Sequence, residues 1–540
     1  MHNRIRVLTP WRRAGGLLSA ALLALSAHMV NAAPADRAMA TVRQAGVHGG
    51  LTVHLGCGDG VFTAALRTNT STMVHGLAVP PRDAETARTT VRRLGLYGPV
   101  SIERLRGQRL PYAENLVNLL VADDMAGVPP AEAMRVLVPN GVLLVREGDG
   151  WRKSVKAWPE TIDEWTHFMH GADNNAVARD TTIGPPERIQ WAAGPRWSRE
   201  HDTTPSLFAP VSARGRLFYV TEEGPVCVID PRIPDRYSVV ARDAFNGVVL
   251  WKRPIDTWYS TQVIWGHIPV HSQRRLVAVN DRVYVTPGMQ APVISLDART
   301  GNLVHTYEGT KFTSEILCAG GKLVLAIRKE QATDGLAVGR DRKRFRRGFT
   351  GPATGDEAVM AVDAETGKIL WREQRPCLPL TLTLANGRVL LADKESVTCL
   401  DAATGKQLWE APCPARTIVV SGEIVVAATD RGTTQYSRAP KTIHVTALSI
   451  TDGSQLWNAS GDCLPNFNFF YLPVDLFVAQ NQVWGLAEKL EWNKKPGSGH
   501  LLGLDLTTGK VTTRTPLAGA FTPGHHVRCY KGKATERFLL

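Results

Sequence analysis

One short pattern recurs along the chain. In six places an aspartate or serine is followed four residues later by a glycine, and in four of these a tryptophan follows after four more residues. The copies with tryptophan are Asp243/Gly247/Trp251, Asp363/Gly367/Trp371, Asp401/Gly405/Trp409 and Ser449/Gly453/Trp457, and Asp297/Gly301 and Asp505/Gly509 have His305 and Thr513 instead. Self-similar β-rich units of about 50 residues are typical of propeller blades.

The physical role of each residue in the pattern follows from its place. An apolar strand ends at Asp363, Gly367 takes the left-handed position of the turn, and the next strand begins before Trp371. We expect the tryptophan to pack between neighbouring blades. The aspartates, glycines and tryptophans of all copies are therefore predicted to be structural residues.

The run Ala361–Trp371, AVDAETGKILW, resembles the AxDxxTGKxxW blade motif of quinoprotein dehydrogenases and their non-catalytic relatives, the pyrroloquinoline quinone (PQQ) repeat family. The resemblance extends from about Arg188 to the C-terminus and implies an all-β propeller over residues 205–540. Whether the last blade is complete stays open. Quinoprotein alcohol dehydrogenases have two adjacent cysteines over the cofactor, whereas no two of the eight cysteines here are adjacent. The motif thus indicates blades and does not by itself indicate a cofactor.

A different unit precedes the repeats, over residues 45–150. The apolar run 51–55 leads into a glycine-rich turn with Gly56, Gly58, Asp59 and Gly60, and strand and helix patterns then alternate. This alternation predicts a parallel, doubly wound α/β sheet. The turn, with the runs at 110–121 and 132–145, resembles class I S-adenosylmethionine (SAM) methyltransferases, which implies a Rossmann-like fold and makes the turn a candidate SAM-binding loop.

The same comparison argues against SAM chemistry. The family commonly has acids near the ends of its first strands, where this sequence has His54, Ala78 and Arg106. Without a carboxylate at Ala78 the ribose hydroxyls lose a bidentate acceptor, although Asp83 could replace it. We expect a degenerate domain in which SAM binding is disfavoured.

The N-terminus predicts export. Arginines precede an apolar run from Leu17 to Val30 and the small residues Ala32 and Ala33, which is the pattern of a signal peptide over residues 1–33. We therefore expect a periplasmic or cell-envelope protein with no other transmembrane segment. The net charge of +13 is partly due to this signal and partly to a basic run at 340–347, read as a solvated loop. A nucleic-acid partner is not expected outside the cytoplasm.

A junction rich in aromatic and polar residues, 151–204, separates the two units. His167 and His170 would share a face if this stretch were helical. His201 and Asp202 stand before the first blade, and His525-His526 lies in a late loop, so these four are the weak catalytic candidates. No CxxC spacing indicates a metal site. For each histidine, ordinary packing is the simpler interpretation.

Three functions remain. The favoured one is a non-enzymatic binding or assembly module of the cell envelope that recognises a protein or polysaccharide, as do non-catalytic PQQ-repeat relatives. The first alternative is a quinoprotein-like oxidoreductase with PQQ and calcium in the propeller channel. The second is a SAM methyltransferase that uses residues 45–150.

Overall fold

The computed structural model describes residues 34–182, 184, 189–194, 207–224, 236–258, 270–288, 290–328, 357–430, 442–463, 476–488, 499–516 and 534–537. The chain divides into two compact units, Met1–Ala157 and Trp158–Leu540, and each is considered by itself. Within the described ranges no helix is long and apolar enough to cross a membrane.

The first unit is a six-stranded α/β sheet, as the sequence predicts. Its elements are α1 Pro34–Ala45, β1 Gly50–Leu55, α2 Val61–Ala65, β2 Thr72–Ala78, α3 Pro81–Arg93, β3 Val100–Arg104, β4 Val117–Ala122, α4 Pro130–Val136, β5 Leu137–Glu147 and β6 Gly150–Val155. The sheet order is β3-β2-β1-β4-β5-β6. Strands β1 to β5 are parallel and β6 runs antiparallel to β5. The order reverses between β1 and β4, where doubly wound sheets form their ligand crevice.

Apolar residues on both faces of the sheet explain this arrangement. The strands β1 and β4 are almost continuously buried, as in parallel sheets covered by helices. Ala87 and Val91 form the buried face of α3, which begins with a proline in its first turn and has arginines in its last. Helix α2 spans only five residues and is shorter than the sequence suggests.

The second unit is the all-β propeller that the repeats predict. Its strands are β7 Val177–Ala178, β8 Leu207–Ala213, β9 Arg216–Glu222, β10 Tyr237–Asp243, β11 Val249–Ile255, β12 Leu276–Val279, β13 Arg282–Val285, β14 Ile294–Asp297, β15 Leu303–Thr306, β16 Thr313–Ala319, β17 Lys322–Arg328, β18 Glu357–Asp363, β19 Ile369–Gln374, β20 Thr383–Ala385, β21 Arg388–Ala392, β22 Val397–Asp401, β23 Gln407–Ala411, β24 Thr417–Ser421, β25 Ile424–Asp430, β26 Thr442–Ser449, β27 Gln455–Cys463, β28 Phe477–Ala479, β29 Gln482–Glu488, β30 His500–Asp505, β31 Val511–Pro516 and β32 Ala534–Thr535. A 3₁₀ helix, Val270–Arg275, precedes β12.

Consecutive groups of four antiparallel strands form the blades. Blade 1 is β8–β11, blade 2 β12–β15, blade 3 β16–β19, blade 4 β20–β23, blade 5 β24–β27 and blade 6 β28–β31, with blades 5 and 6 joined by pairing of β27 with β29. The first strand of each blade contacts the first strand of the next, and β28 contacts β32. These first strands, called inner strands below, therefore surround the propeller channel.

The repeated aspartate organises the turn between the third and fourth strands. The Asp363 carboxylate accepts hydrogen bonds from the backbone N–H of Glu365 and from both the N–H and the hydroxyl of Thr366, and these bonds lower the pKa of Asp363. Gly367 then has φ +73°, a left-handed conformation that glycine adopts without strain. The turn is a self-contained unit, which explains why its sequence can be repeated.

The repeated tryptophan joins one blade to the next. The Trp371 indole N–H donates to the carbonyl of Ala402 at 3.0 Å, and its ring covers Gly405 in the turn of the following blade. Equivalent contacts join Trp251 to Gly301, Trp409 to Gly453 and Trp457 to Gly509. In blade 2, His305 covers Gly367 and the Tyr307 hydroxyl donates to the Ala364 carbonyl instead. All four tryptophans are buried.

Candidate functional site

A single stretch of chain, Trp165–Ala178, connects the inner strands of the propeller; we call it the channel segment. Each inner strand is the edge of its sheet, so its outward backbone N–H groups need an acceptor from elsewhere. The channel segment supplies these acceptors. It is extended or turn-like over most of its length, and β7 is its strand.

Among the described residues, seven backbone amides donate to the channel segment, one from each of the six inner strands and one from β32; we call them the amide ring. The bonds run from Ser212 N to Trp165 O (2.7 Å), Ala278 N to Thr166 O (3.0 Å), Cys318 N to His167 Nε2 (3.0 Å), Leu384 N to Ala172 O (2.8 Å), Val420 N to Asp173 O (3.0 Å), Val478 N to Asn175 Oδ1 (2.9 Å) and Ala534 N to Ala176 O (3.0 Å). Donors and acceptors follow the same chain order. The segment therefore passes once around the channel.

Two neighbouring asparagines hold the segment against three blades. The Asn174 amide donates to the carbonyls of Leu382 and Ile418 at 3.0 and 3.1 Å and to the Thr383 hydroxyl at 2.8 Å. The Asn175 side chain donates to the carbonyl of Val478 and accepts from its N–H, both at 2.9 Å. Asn175 thus pairs with β28 as a strand backbone would.

His167 acts as a neutral hydrogen-bond acceptor in this arrangement. Because Cys318 N–H donates to its Nε2, the proton of the neutral ring is on Nδ1, which lies 2.7 Å from the Thr166 hydroxyl. The residue is only 4% exposed. Burial, aided by the nearby Arg274 charge, lowers the pKa of His167 to about 3. The ring is therefore a fixed structural group at neutral pH.

His170 and Asp163 are hydrogen-bonded, with His170 Nε2 2.7 Å from Asp163 Oδ2. The same carboxylate accepts the N–H groups of Arg179 and Glu164 at 2.6 and 2.7 Å. Burial by itself raises the pKa of Asp163, but the three hydrogen bonds together have the larger effect and lower this pKa to about 2. A carboxylate so fully engaged is a poor general base.

The stretch that contains His167 and His170 is not helical, so the condition under which they would share a helical face is not met. The backbone N–H and C=O of each bond to those of the other, at 3.0 and 3.1 Å, and His170 has φ 70°. The four residues 167–170 therefore make a tight turn within the segment. A helix does not form because the backbone groups of His167 and His170 bond to each other and the neighbouring carbonyls accept hydrogen bonds from the blades.

The glycine-rich turn of the first unit is a tight turn packed against a helix. Gly56, Gly58 and Gly60 all have positive φ, and a Cβ at Gly60 would lie 2.8 Å from the Cα of Ala87 in α3. The Asp59 carboxylate accepts the Val61 N–H at 2.9 Å and so orders the start of α2. Glycine is required here by the turn and by helix packing, with or without a ligand.

The end of β2, next to this turn, presents no carboxylate. At the end of β2 stands Ala78, fully buried, and its carbonyl is bonded to Leu105 N. Asp83, the proposed replacement, is near enough that its charge helps to raise the pKa of Cys57 to about 11, after burial as the main cause. Asp83 lies in the first turn of α3, where its Oδ1 is 3.8 Å from Arg82 Nε. The ribose acceptor that the family uses is thus absent from its usual place.

A cation of α1 contacts residues that follow β1 and β4. Arg37 lies 4.4 Å from the centre of the Phe62 ring and donates to Asp123 at 2.9 Å. His54 of β1 packs edge-on to the same Phe62 ring and contacts the Thr63 hydroxyl at 2.7 Å, and burial lowers the pKa of His54 to about 4. Over the described part of the chain, no three histidine, cysteine or acidic side chains are grouped as metal ligands.

Comparison with known families identifies the propeller. The family model described as "Outer membrane protein assembly factor BamB" matches residues 235–384 and 355–528, which together cover more than half of the chain. The chain belongs to this PQQ-repeat family. No curated protein matches it.

Solved structures match the two units separately. BamB from Moraxella catarrhalis is 15% identical with a TM-score of 0.33, over 57% of this chain and 72% of that one. Quinohemoprotein alcohol dehydrogenase from Comamonas testosteroni is 13% identical with a TM-score of 0.38, over 69% of each. Geranyl diphosphate C-methyltransferase from Streptomyces coelicolor is 17% identical with a TM-score of 0.19, over 20% of this chain and 42% of that one, less than half its length.

The weak catalytic candidates His201, Asp202, His525 and His526 lie outside the described residues, as does the basic run at 340–347. The candidate loop residues Gly56, Gly58, Asp59 and Gly60 come together as one turn. The motif residues of the PQQ repeats all lie in blades. None of these placements tests a catalytic or cofactor role.

The sequence analysis did not predict the roles of two sets of residues. Asn174 and Asn175 gave no periodic signal, because their partners lie more than 200 residues away. Trp191 was assigned to the junction, although it covers Gly247 and donates to the Ala244 carbonyl at 3.0 Å as a blade tryptophan does. Its signal was available: Ile189-Gln-Trp191 matches Ile369-Leu-Trp371 at two of three positions.

Proposed function

We propose that this PQQ-repeat protein is exported and acts as a binding or assembly module of the cell envelope, with a protein as its partner. Membership of a family described by an outer-membrane protein assembly factor supports the compartment and the kind of role. The first unit is then a degenerate methyltransferase-like domain, and residues 1–33 are its signal peptide. Boundaries near residues 45, 150 and 205 complete the proposed domain plan.

The observation that carries this proposal is the use made of polar side chains in the channel segment and directly before it. His167 Nε2 in the segment accepts the Cys318 N–H, and Asp163, two residues before the segment, is engaged by three hydrogen-bond partners, so both serve the fold. A catalytic acid or base needs a free position toward its substrate. These two side chains favour a scaffold over a reaction centre.

The outer strands of the blades offer a surface for a protein partner. Those of blades 2 to 5 have exposed aliphatic side chains one or two positions before the residue that packs on the next blade. They include Leu303 and Val304 (51 and 46% exposed), Ile369 (42%), Leu408 (47%) and Leu456 (46%). Repeated exposed aliphatic groups on sheet edges are typical of protein interaction surfaces.

Site-specific photo-crosslinking in cells tests this function. A photoreactive residue at Leu408 should yield a crosslink to a component of outer-membrane protein assembly, in the periplasmic or membrane fraction. The matched control is the same residue at Met73, which is 46% exposed in the first unit. A cytosolic protein without such a crosslink would refute the proposal.

The quinoprotein alternative has its own measurement. Purified protein is incubated with PQQ and calcium, and alcohol-dependent dye reduction is followed. We expect no reduction above that of the cofactor alone. Saturable alcohol oxidation would replace the binding module with an oxidoreductase.

A further inference from the structure

The amide ring donates its hydrogen bonds mainly to a polypeptide backbone. Five of its seven acceptors are main-chain carbonyls, those of Trp165, Thr166, Ala172, Asp173 and Ala176. A sixth, Asn175 Oδ1, belongs to a side chain that pairs with Val478 as a backbone would. Pairing of an extended peptide with exposed sheet edges is a general mode of protein recognition, because main-chain bonds are largely independent of sequence.

The channel segment is attached mainly by hydrogen bonds. Its apolar contribution comes from a few side chains: Phe168, Met169 and Ala176 form a small cluster with Trp165 half-buried beside it. Ala172 adds one methyl group to a cluster of blades 3 and 4, and Val177 packs in a cluster with blade 6. The blades, by contrast, share extended clusters of buried aliphatic residues. Hydrogen bonds exchanged with water contribute little net free energy each, whereas burial of apolar area dominates folding. The segment is therefore the part of the propeller that can open without unfolding a blade.

We propose that the amide ring is a peptide-binding surface and that the channel segment is its built-in occupant, which another chain displaces. The partner is an extended peptide that presents successive carbonyl oxygens and an asparagine at the place of Asn175. The inference rests on the proposed binding function and names its partner chemistry and its regulation: the surface is closed until the segment is released.

Competition between the segment and a free peptide tests this directly. The full chain carries Asn174→Ala and Asn175→Ala together, which removes five hydrogen bonds to the blades. The probe is a fluorescent synthetic peptide with the sequence of residues 163–178, followed by anisotropy. We expect the double variant to bind it at least ten times more tightly than the wild type does.

The control variant is Asn458→Ala, an exposed asparagine on the outer strand β27. It should bind the probe as weakly as the wild type. A folded double variant that binds no more peptide than this control overturns the proposal.

Hydrogen exchange supplies a second measurement if the double variant does not fold. In the wild type, the ring amides of Ser212, Cys318 and Val420 should exchange together, at least a hundred times faster than Val426 in the centre of blade 5. Exchange of all four amides at one rate would show that the segment leaves only on global unfolding, and would overturn the proposal.

The two proposals can fail independently. If the Leu408 crosslink is not found but the double variant binds the peptide, the envelope role is refuted and the amide ring stands as a peptide-binding site. If the crosslink is found but the double variant does not bind the peptide, the envelope role stands and the peptide-binding site is refuted.

Discussion

Trp191 covers Gly247 so closely that a Cβ on that glycine would lie 2.4 Å from the indole Cε3. The same indole donates to the Ala244 carbonyl at 3.0 Å. Along the repeats, each blade tryptophan makes this pair of contacts with the turn of the following blade. Trp191 therefore provides, from before blade 1, the contact that a preceding blade would provide.

The close contact predicts a steric cost at the turn glycine. Gly247→Ala should destabilise the propeller by about 2–4 kcal/mol, because alanine is strained at positive φ and its methyl group clashes with the indole. Gly387→Ala is the matched control, since Gly387 has φ +71° with nothing within 4 Å of its Cβ position. Urea unfolding of the two variants should separate steric clash from backbone strain. Equal losses of stability would contradict the contact.

The blade tryptophans predict a shared structural cost. Trp371→Ala should lower the free energy of unfolding of the propeller by about 3–5 kcal/mol, because it removes a buried ring and leaves the Ala402 carbonyl without its donor. Leu408→Ala, which truncates a side chain that is 47% exposed, should change stability by less than about 0.5 kcal/mol. A similar effect from both substitutions would rule out the interblade role.

We expect the propeller to lose stability in acid because His167 is buried in its neutral form. Its pKa is about 3 in the folded chain and 6.5 ordinarily, so between these values the unfolded chain binds more protons. The contribution of neutral His167 to the free energy of unfolding is complete above pH 6.5 and falls as the pH drops toward 3. At pH 5 this contribution is lower by about 2 kcal/mol. His167→Gln keeps a side-chain acceptor for Cys318 N–H and should give a shallower pH dependence of propeller unfolding. His48→Gln lies in the first unit and should leave the slope of propeller unfolding unchanged. An unchanged slope in both variants would refute the assignment.

The absent carboxylate predicts that SAM does not bind. Titration calorimetry of the purified mature protein should give no heat attributable to SAM, because Ala78 offers the ribose hydroxyls no acceptor. An active SAM methyltransferase under the same conditions is the positive control. A micromolar dissociation constant would show that another group, such as Asp83, replaces the missing acid.

The signal-peptide pattern predicts a processed N-terminus. N-terminal sequencing of fractionated cells should find a mature chain that starts near Ala33 or Pro34, because small residues follow the apolar run. Changing Ala32 to a bulky residue should block processing. Intact Met1 in the cytosol would remove the export proposal and the cellular argument against SAM chemistry.

Local chemistry made the blades and the α/β sheet predictable. Asp363, Thr366 and Gly367 form their turn through bonds within five residues, so the turn is encoded wherever the short sequence recurs. The apolar strand and glycine-rich turn around Gly56 are equally local. Such features depend on neighbouring residues and can be read directly from the chain.

The channel could not be predicted in the same way. Asn174 binds Leu382 and Ile418, and Ala176 binds Ala534, across separations that leave no spacing pattern. His167 has an ordinary sequence context, and only its position beside Cys318 makes it a buried acceptor with a lowered pKa. The sequence by itself determined the repeated blades, because their turns close within a few residues. Tertiary structure alone decided what fills the channel, because the inner-strand amides come together only when all the blades are in place.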